Sequence, residues 1–194
     1  MKYLPVILFL LFSVGCSVPS GTITNNVYSS KGGLFQLPVP WETYGLDNGR
    51  LDDGSSEFDQ VASFEIPYGT VHRVSRYRTG SNYYRGLDRT WPVEAQLEGV
   101  ETTLFHLYEN MGFQSNAVFE RHFVIIEGQK ILLEVRQLTS VKEHDQRFRA
   151  FAIFVTPNYV NILEYAHPMD TEKSIPLMFS ALDKLYRSLR LNDK

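Results

Sequence analysis

The chain has 194 residues, 43% of them hydrophobic and 13% aromatic, a globular composition with enough apolar material for one domain and its own core. Nineteen Lys and Arg against 22 Asp and Glu leave a formal net charge of −3, so no basic excess points to nucleic acid. The single cysteine excludes an internal disulfide, and stability has to come from packing.

The first segment reads as an export signal. Met1-Lys2-Tyr3 provides a positive start and residues 4–12 an apolar run, far short of the roughly 20 residues that a spanning helix needs. Ser13-Val14-Gly15-Cys16 then places small residues at a cleavage point. Cys16 resembles the lipid-bearing cysteine of bacterial lipoproteins, and Val14-Gly15-Cys16 fits the last three positions of their lipobox. Ser13 stands where that motif usually has Leu, which leaves an ordinary signal peptidase cutting after Gly15 as the alternative. Either way residues 1–15 are the signal peptide. The expectation is an exported lipoprotein, held to a lipid bilayer by a palmitate-type anchor on Cys16. Ser17 replaces the Asp that would resemble an inner-membrane retention signal. That favours the periplasmic face of the outer membrane in a Gram-negative cell, and otherwise the outer face of the plasma membrane.

Residues 16–32 read as a lipidated N-terminus and flexible tether, with Pro19, Gly21 and a run of Ser, Thr and Asn. About 15 such residues reach roughly 20 Å as a random coil. Residues 33–194 read as a single domain. It opens with Phe35, Leu37 and Val39 alternating as in a half-buried strand, which Pro38 and Pro40 mark as an edge or strand end. Residues 61–66 and 71–78 follow as strands around a Pro67-Tyr68-Gly69 turn.

From Val93 to Met111, apolar residues recur at spacings of four and three: Val93, Leu97, Val100, Leu104, Leu107, Met111. This is one face of a helix that Gly112 stops. Two hairpins come next: 118–126 turning at Glu127-Gly128-Gln129 into 131–138, and 148–155 turning at Thr156-Pro157-Asn158 into 159–166. Several arms are apolar on both alternating faces, so the centre of the sheet is expected to be covered on both sides. A last helix carries the stripe Ile175, Met178, Phe179, Leu182, Leu185, Tyr186 and Leu189, with Pro176 tolerable in its first turn only. The fold class is α+β, an antiparallel sheet of about six or seven strands packed by helices.

This order of elements, together with Val39-Pro40-Trp41 and a terminal helix ending Leu185-Tyr186-Arg187-Ser188-Leu189, resembles the PsbP/Mog1/DcrB-like superfamily over residues 33–191. The resemblance implies a PsbP/Mog1-like sheet and a binding or assembly role in the cell envelope, with no shared catalytic motif. Fold analogy does not transfer function, and no partner contact of the superfamily maps onto a residue here.

Two charged segments follow one another. Residues 42–59 hold Glu42, Asp47, Asp52, Asp53, Glu57 and Asp59 against Arg50. Leu51 and Gln60 occupy positions where an EF-hand loop needs ligands, so an exposed acidic hairpin or loop is expected and no metal site. Downstream, Arg73, Arg76, Arg78, Arg85 and Arg89 interleave with His72, Tyr77, Tyr83, Tyr84 and Trp91. Guanidinium groups beside aromatic rings suit phosphate, carboxylate or sugar recognition by bidentate hydrogen bonds and stacking. Arg73, Arg76, Tyr77, Arg78, Tyr83, Tyr84, Arg85 and Trp91 are thus the candidate ligand or partner residues, and charge compensation by the preceding acidic segment is the competing account.

His72, His106, His122, His144 and His167 lack zinc-ligand spacing and read as surface or edge residues. No nucleophile elbow, phosphate loop or cofactor fingerprint occurs, so no catalytic residue and no cofactor is assigned. The leading expectation is a non-enzymatic, membrane-tethered binding or assembly module with an envelope protein as partner. The alternatives are a carrier of an anionic or sugar-like ligand at residues 72–91, and a periplasmic enzyme whose site assembles only on folding.

Overall fold

The computed structural model describes residues 21–39, 50–55, 59–66, 70–142, 146–166 and 174–193. The export signal, Cys16, Pro40 and Trp41, residues 42–49 and 56–58 of the acidic stretch and the Pro67-Tyr68-Gly69 turn lie outside the described residues, as do His144 and His167.

In chain order the strands are β1 (Thr22–Thr24), β2 (Val27–Ser29), β3 (Phe35–Pro38), β4 (Arg50–Ser55), β5 (Asp59–Ile66) and β6 (Thr70–Arg78). Helix α1 (Val93–Asn110) leads into β7 (Phe113–Ile126), β8 (Gln129–Ser140), β9 (Gln146–Val155) and β10 (Tyr159–Ala166). Helix α2 (Ile175–Ser188) and β11 (Arg190–Leu191) close the chain. The large sheet has seven strands in the order β4-β5-β6-β10-β9-β8-β7, antiparallel throughout, and a small sheet runs β1-β2-β3-β11. The α+β expectation of six or seven antiparallel strands therefore holds, at seven.

Period-two alternation explains why both faces of the large sheet are covered. Along β9, Phe148, Ala150, Ala152 and Phe154 join one core with Met178 and Leu182 of α2 and with Tyr28, Phe35 and Leu37 of the small sheet. Phe151, Ile153 and Val155 point the other way, into a second core with Leu97, Val100, Leu104 and Phe105 of α1. Each large side chain so enclosed contributes roughly 1.5–3 kcal/mol. The central strands consequently read as continuous apolar runs.

Two expectations need correction. The segment assigned to the tether is folded from residue 21 onward: β1 and β2 join through Asn25 and Asn26, both at positive φ, and Tyr28 is only 1% exposed. A single aromatic ring seated against Phe35 and Phe64 outweighs the polar composition around it. Strand β3 belongs to the small sheet, between β2 and β11, not to the edge of the large one. Residues 50–55, read as part of an acidic hairpin or loop, form the edge strand β4 and pair with β5 as a hairpin, with Asp52 opposite Ser63 and Asp53 opposite Ala62.

The C-terminus is fastened by β6. Arg76, 1% exposed, donates to the Leu34 carbonyl and the Asp193 carboxylate and stacks over Tyr159 with its guanidinium 3.8 Å from the ring centroid. Thr156 Oγ1 donates to Asp193 as well, and Asn158 Nδ2 donates to its carbonyl.

Candidate functional site

Alternation along β6 divides the Arg-rich segment between two environments. His72, Val74 and Arg76 face α2 and the small sheet, whereas Arg73, Ser75 and Tyr77 face α1. His72 is 5% exposed and packs edge-on against Tyr165, so it is a core residue, contrary to the surface assignment. Burial pushes its imidazole down to about 4, which keeps it neutral at physiological pH. His106 and His122 are exposed as expected, beside Glu109 and Glu120.

On the α1 face a cavity of about 390 Å³ opens between the second half of α1 and strands β5, β6 and β10. Its floor comes from Val61, Arg73, Ser75, Ile162 and Glu164, its roof from Leu104, Leu107 and Tyr108, and its mouth from Tyr83 and Met111, which are 48% and 60% exposed. The short side chains of Val61 and Ser75 leave the room beneath the helix. Most of the wall is apolar. A smaller cavity of about 210 Å³ lies alongside, lined by Tyr84, Leu87, Trp91 and Gly99, and shares Tyr83 with the first.

At the floor sits a buried ionic group. Tyr108 Oη donates to Glu164 Oε2 at 2.6 Å, Arg149 Nη1 donates to Oε1, and Arg73 Nη1 reaches Oε2 at 3.3 Å. The Arg149 guanidinium lies 5.5 Å from the Tyr108 ring and 5.3 Å from the Phe113 ring. Burial alone would push the Glu164 carboxyl up, but Arg149, Arg73 and the Tyr108 hydroxyl outweigh it and hold the group below the ordinary Glu range. Burial and the Glu164 charge push the Tyr108 phenol above its usual value. Glu164 is thus a fixed carboxylate and Tyr108 a fixed donor.

A second ionic group lies further along the same face. Arg136 bridges Glu134 and Glu101 and donates to Ser115 Oγ, with its guanidinium 3.6 Å from the Phe105 ring centroid. Arg121 reaches Glu98 and Glu101 at 3.1 and 3.0 Å. Burial, with a further contribution from Glu101, raises the Glu134 carboxyl to about 7 against the opposing pull of Arg136.

Of the sequence-derived candidates, Arg73, Tyr77 and Tyr83 meet in the larger cavity, and Tyr83, Tyr84 and Trp91 in the smaller. The rings of Tyr77 and Tyr84 lie 5.2 Å apart. Arg76 is on the opposite face and binds the C-terminus, while Arg78 and Arg85 are exposed and line neither cavity. Among the described residues, Arg73 pairs with Glu164 and Arg76 with Asp193. Sequence reasoning missed Tyr108, Arg149 and Glu164. For Glu164 the signal was a lone charge in the otherwise apolar β10, and for Arg149 an arginine at the start of the apolar run 148–155.

No family model and no curated protein sequence matches the chain. Similar solved structures exist. The solution structure of the PsbP protein of the cyanobacterium Synechocystis, CyanoP, superposes with a TM-score of 0.55 at 11% identity, over 92% of this chain and 96% of that one. The fold is PsbP-like. A crystal structure from Bacteroides thetaiotaomicron has a TM-score of 0.49 at 11% identity, covering 89% of this chain and 50% of that one. LpqN of Mycobacterium tuberculosis, described as involved in cell envelope biogenesis, has a TM-score of 0.41 at 14% identity, covering 81% and 83%. In this PsbP-like fold the cavity lies on the α1 face of the large sheet, away from the small sheet and the C-terminal clasp.

Proposed function

We propose that this chain is an exported binding module of the cell envelope, held to a membrane through Cys16 and non-enzymatic, which carries a small ligand in the cavity beneath α1. The cavity itself carries the reading: about 390 Å³ of concave, mostly apolar space into which a few polar groups converge. Three of those lining groups, Arg73, Tyr77 and Tyr83, come from the Arg- and Tyr-rich segment. A carboxylate held ionised and a phenol held protonated are poorly placed to exchange protons near neutrality, which supports binding over catalysis.

Two measurements test this. Metabolic palmitate labelling should mark the wild type and spare Cys16→Ala. Label retained by the variant would overturn the anchor. Native mass spectrometry of protein taken from its own envelope should show a small-molecule adduct that Leu107→Trp, which fills the cavity, abolishes. An adduct equally abundant in the variant would move the ligand elsewhere.

An assembly role has one observation of its own. Edge strand β7 exposes Val118, Phe123 and Ile125, the last at 70%. If this edge docks an envelope protein, Ile125→Lys should reduce cross-linking to neighbours and leave the cavity adduct intact.

A further inference from the structure

We propose that the cavity selects an amphipathic monoanion, an apolar chain or ring bearing one carboxylate, with the acid group on Arg73. The inference deepens the carrier reading and rests on it.

Charge at the floor is unbalanced. Arg73 and Arg149 surround one carboxylate, and among the described residues lining the cavity no second acid is present, so the group carries one surplus positive charge. Glu164 does not need both guanidiniums. Its Oε1 is taken by Arg149 and its Oε2 by the short bond from Tyr108, which leaves Arg73 as a third, longer partner at 3.3 Å. The two arginines also differ in access, since the Arg73 side chain is 32% exposed and that of Arg149 13%. The Arg73 Nε is buried and has no hydrogen-bond partner among the described residues. The terminal nitrogens of this planar guanidinium, one of them loosely held, are the part offered to a carboxylate.

One feature opposes an anion here. The cavity lies against the C-terminal end of α1, whose aligned carbonyls act as about half a unit of negative charge. Those carbonyls are partly neutralised, because the Met111 N–H is shared by the Leu107 and Tyr108 carbonyls and the Gly112 N–H bonds to Glu109. Against it the sheet side sets a group of two guanidiniums and one carboxylate. That group orients the ligand, acid group down toward β6 and apolar body along Leu104, Leu107 and Ile162, with the unbranched, adaptable Met111 at the mouth. The volume sits at the lower end of the roughly 300–1,000 Å³ found for small-molecule sites, which suits a medium-length chain or one or two rings.

The test uses the exported chain carrying Cys16→Ala, so that no detergent competes, with decanoate, decanol and decyltrimethylammonium below their aggregation concentrations in titration calorimetry. Decanoate should bind at least about tenfold more tightly than decanol, and the cation not at all. Arg73→Gln should erase the preference by weakening decanoate while leaving decanol unchanged. Should Arg73→Gln fail to fold, Arg73→Lys keeps the charge without the fork and should weaken decanoate alone, by a smaller factor. Equal or tighter binding of decanol, or an undiminished preference in both variants, overturns the inference while leaving the cavity as a ligand site. If no decyl compound binds, the monoanion proposal falls. The carrier reading falls with it only if Leu107→Trp also leaves the envelope-derived adduct in place.

Discussion

Glu164→Gln isolates the charge at the cavity floor. The native carboxylate is 2% exposed and bonds to Arg149, Arg73 and Tyr108, whereas the amide keeps its shape and loses its charge. Two guanidiniums are then left without a counter-ion. Breaking a buried ion pair from one side costs about 3–5 kcal/mol, a large part of the roughly 5–15 kcal/mol that holds a domain together. At about 2–4 °C per kcal/mol for a chain of this size, the unfolding midpoint should fall by roughly 6–20 °C. The pH dependence identifies the origin. The Glu164 carboxyl lies below its ordinary value of 4.5 in the native state, so its contribution is fully present above that pH and is lost as pH falls through the native value. The gap between wild type and Glu164→Gln should accordingly be wide at neutral pH and close in acid. Urea unfolding followed by far-UV circular dichroism, repeated between about pH 7 and pH 3, measures it. A neutral-pH gap under about 1 kcal/mol, or one that widens toward acid, refutes the reasoning.

Glu134 has the opposite sign: an acid raised to about 7 holds its proton more tightly in the native state, so stability declines as pH rises from about 4.5 to about 7. Glu134→Gln should therefore be more stable than wild type at pH 8 by about 1–2 kcal/mol and indistinguishable near pH 4, as thermal melts would show. Glu127 sits at φ 52° before Gly128 at φ 81° in the β7–β8 turn, where a side chain suited to the left-handed region is preferred. Replacing it with Asn should gain roughly 0.5–1 kcal/mol in urea unfolding, and a loss would mean that its 3.7 Å pairing with Arg187 outweighs turn geometry. Asp193→Ala removes the counter-ion of buried Arg76 and should cost about 3 kcal/mol or more, read as a lowered unfolding midpoint, while decanoate binding on the other face stays unchanged.

Elements with strong periodicity were legible from composition and spacing. The helix expected from Val93 ends at Asn110, and the second arms of both hairpins fall within a few residues of their expected limits, because burial on both faces writes long apolar runs into β8, β9 and β10. What escaped was structure held by few residues. The β1–β2 hairpin depends on Tyr28, and β11 is two residues long. Strand β4 is rich in Asp, which intrinsic preference assigns to loops, so the sequence left hairpin and loop both open there. The candidate site was half legible for a related reason. An Arg–Tyr cluster is visible in one dimension, but which arginines share a face follows from the pleat, and Arg73 and Arg76 lie three positions apart, an odd spacing. Tyr108, Arg149 and Glu164 come from three elements that only the sheet order brings together.

The small sheet ties the earliest described strands to the latest. Strand β3 finds its second neighbour only in β11, and Arg76 finds Asp193 only 117 residues further along. Until α2 and β11 are in place, Phe35 and Leu37 lack the layer that these lay over them. Closure of this layer therefore joins segments far apart in the chain. Loss of β11 and Asp193 would open the seam beside β3 and leave Arg76 without that carboxylate, and such a variant should be cut by proteases faster than the intact chain.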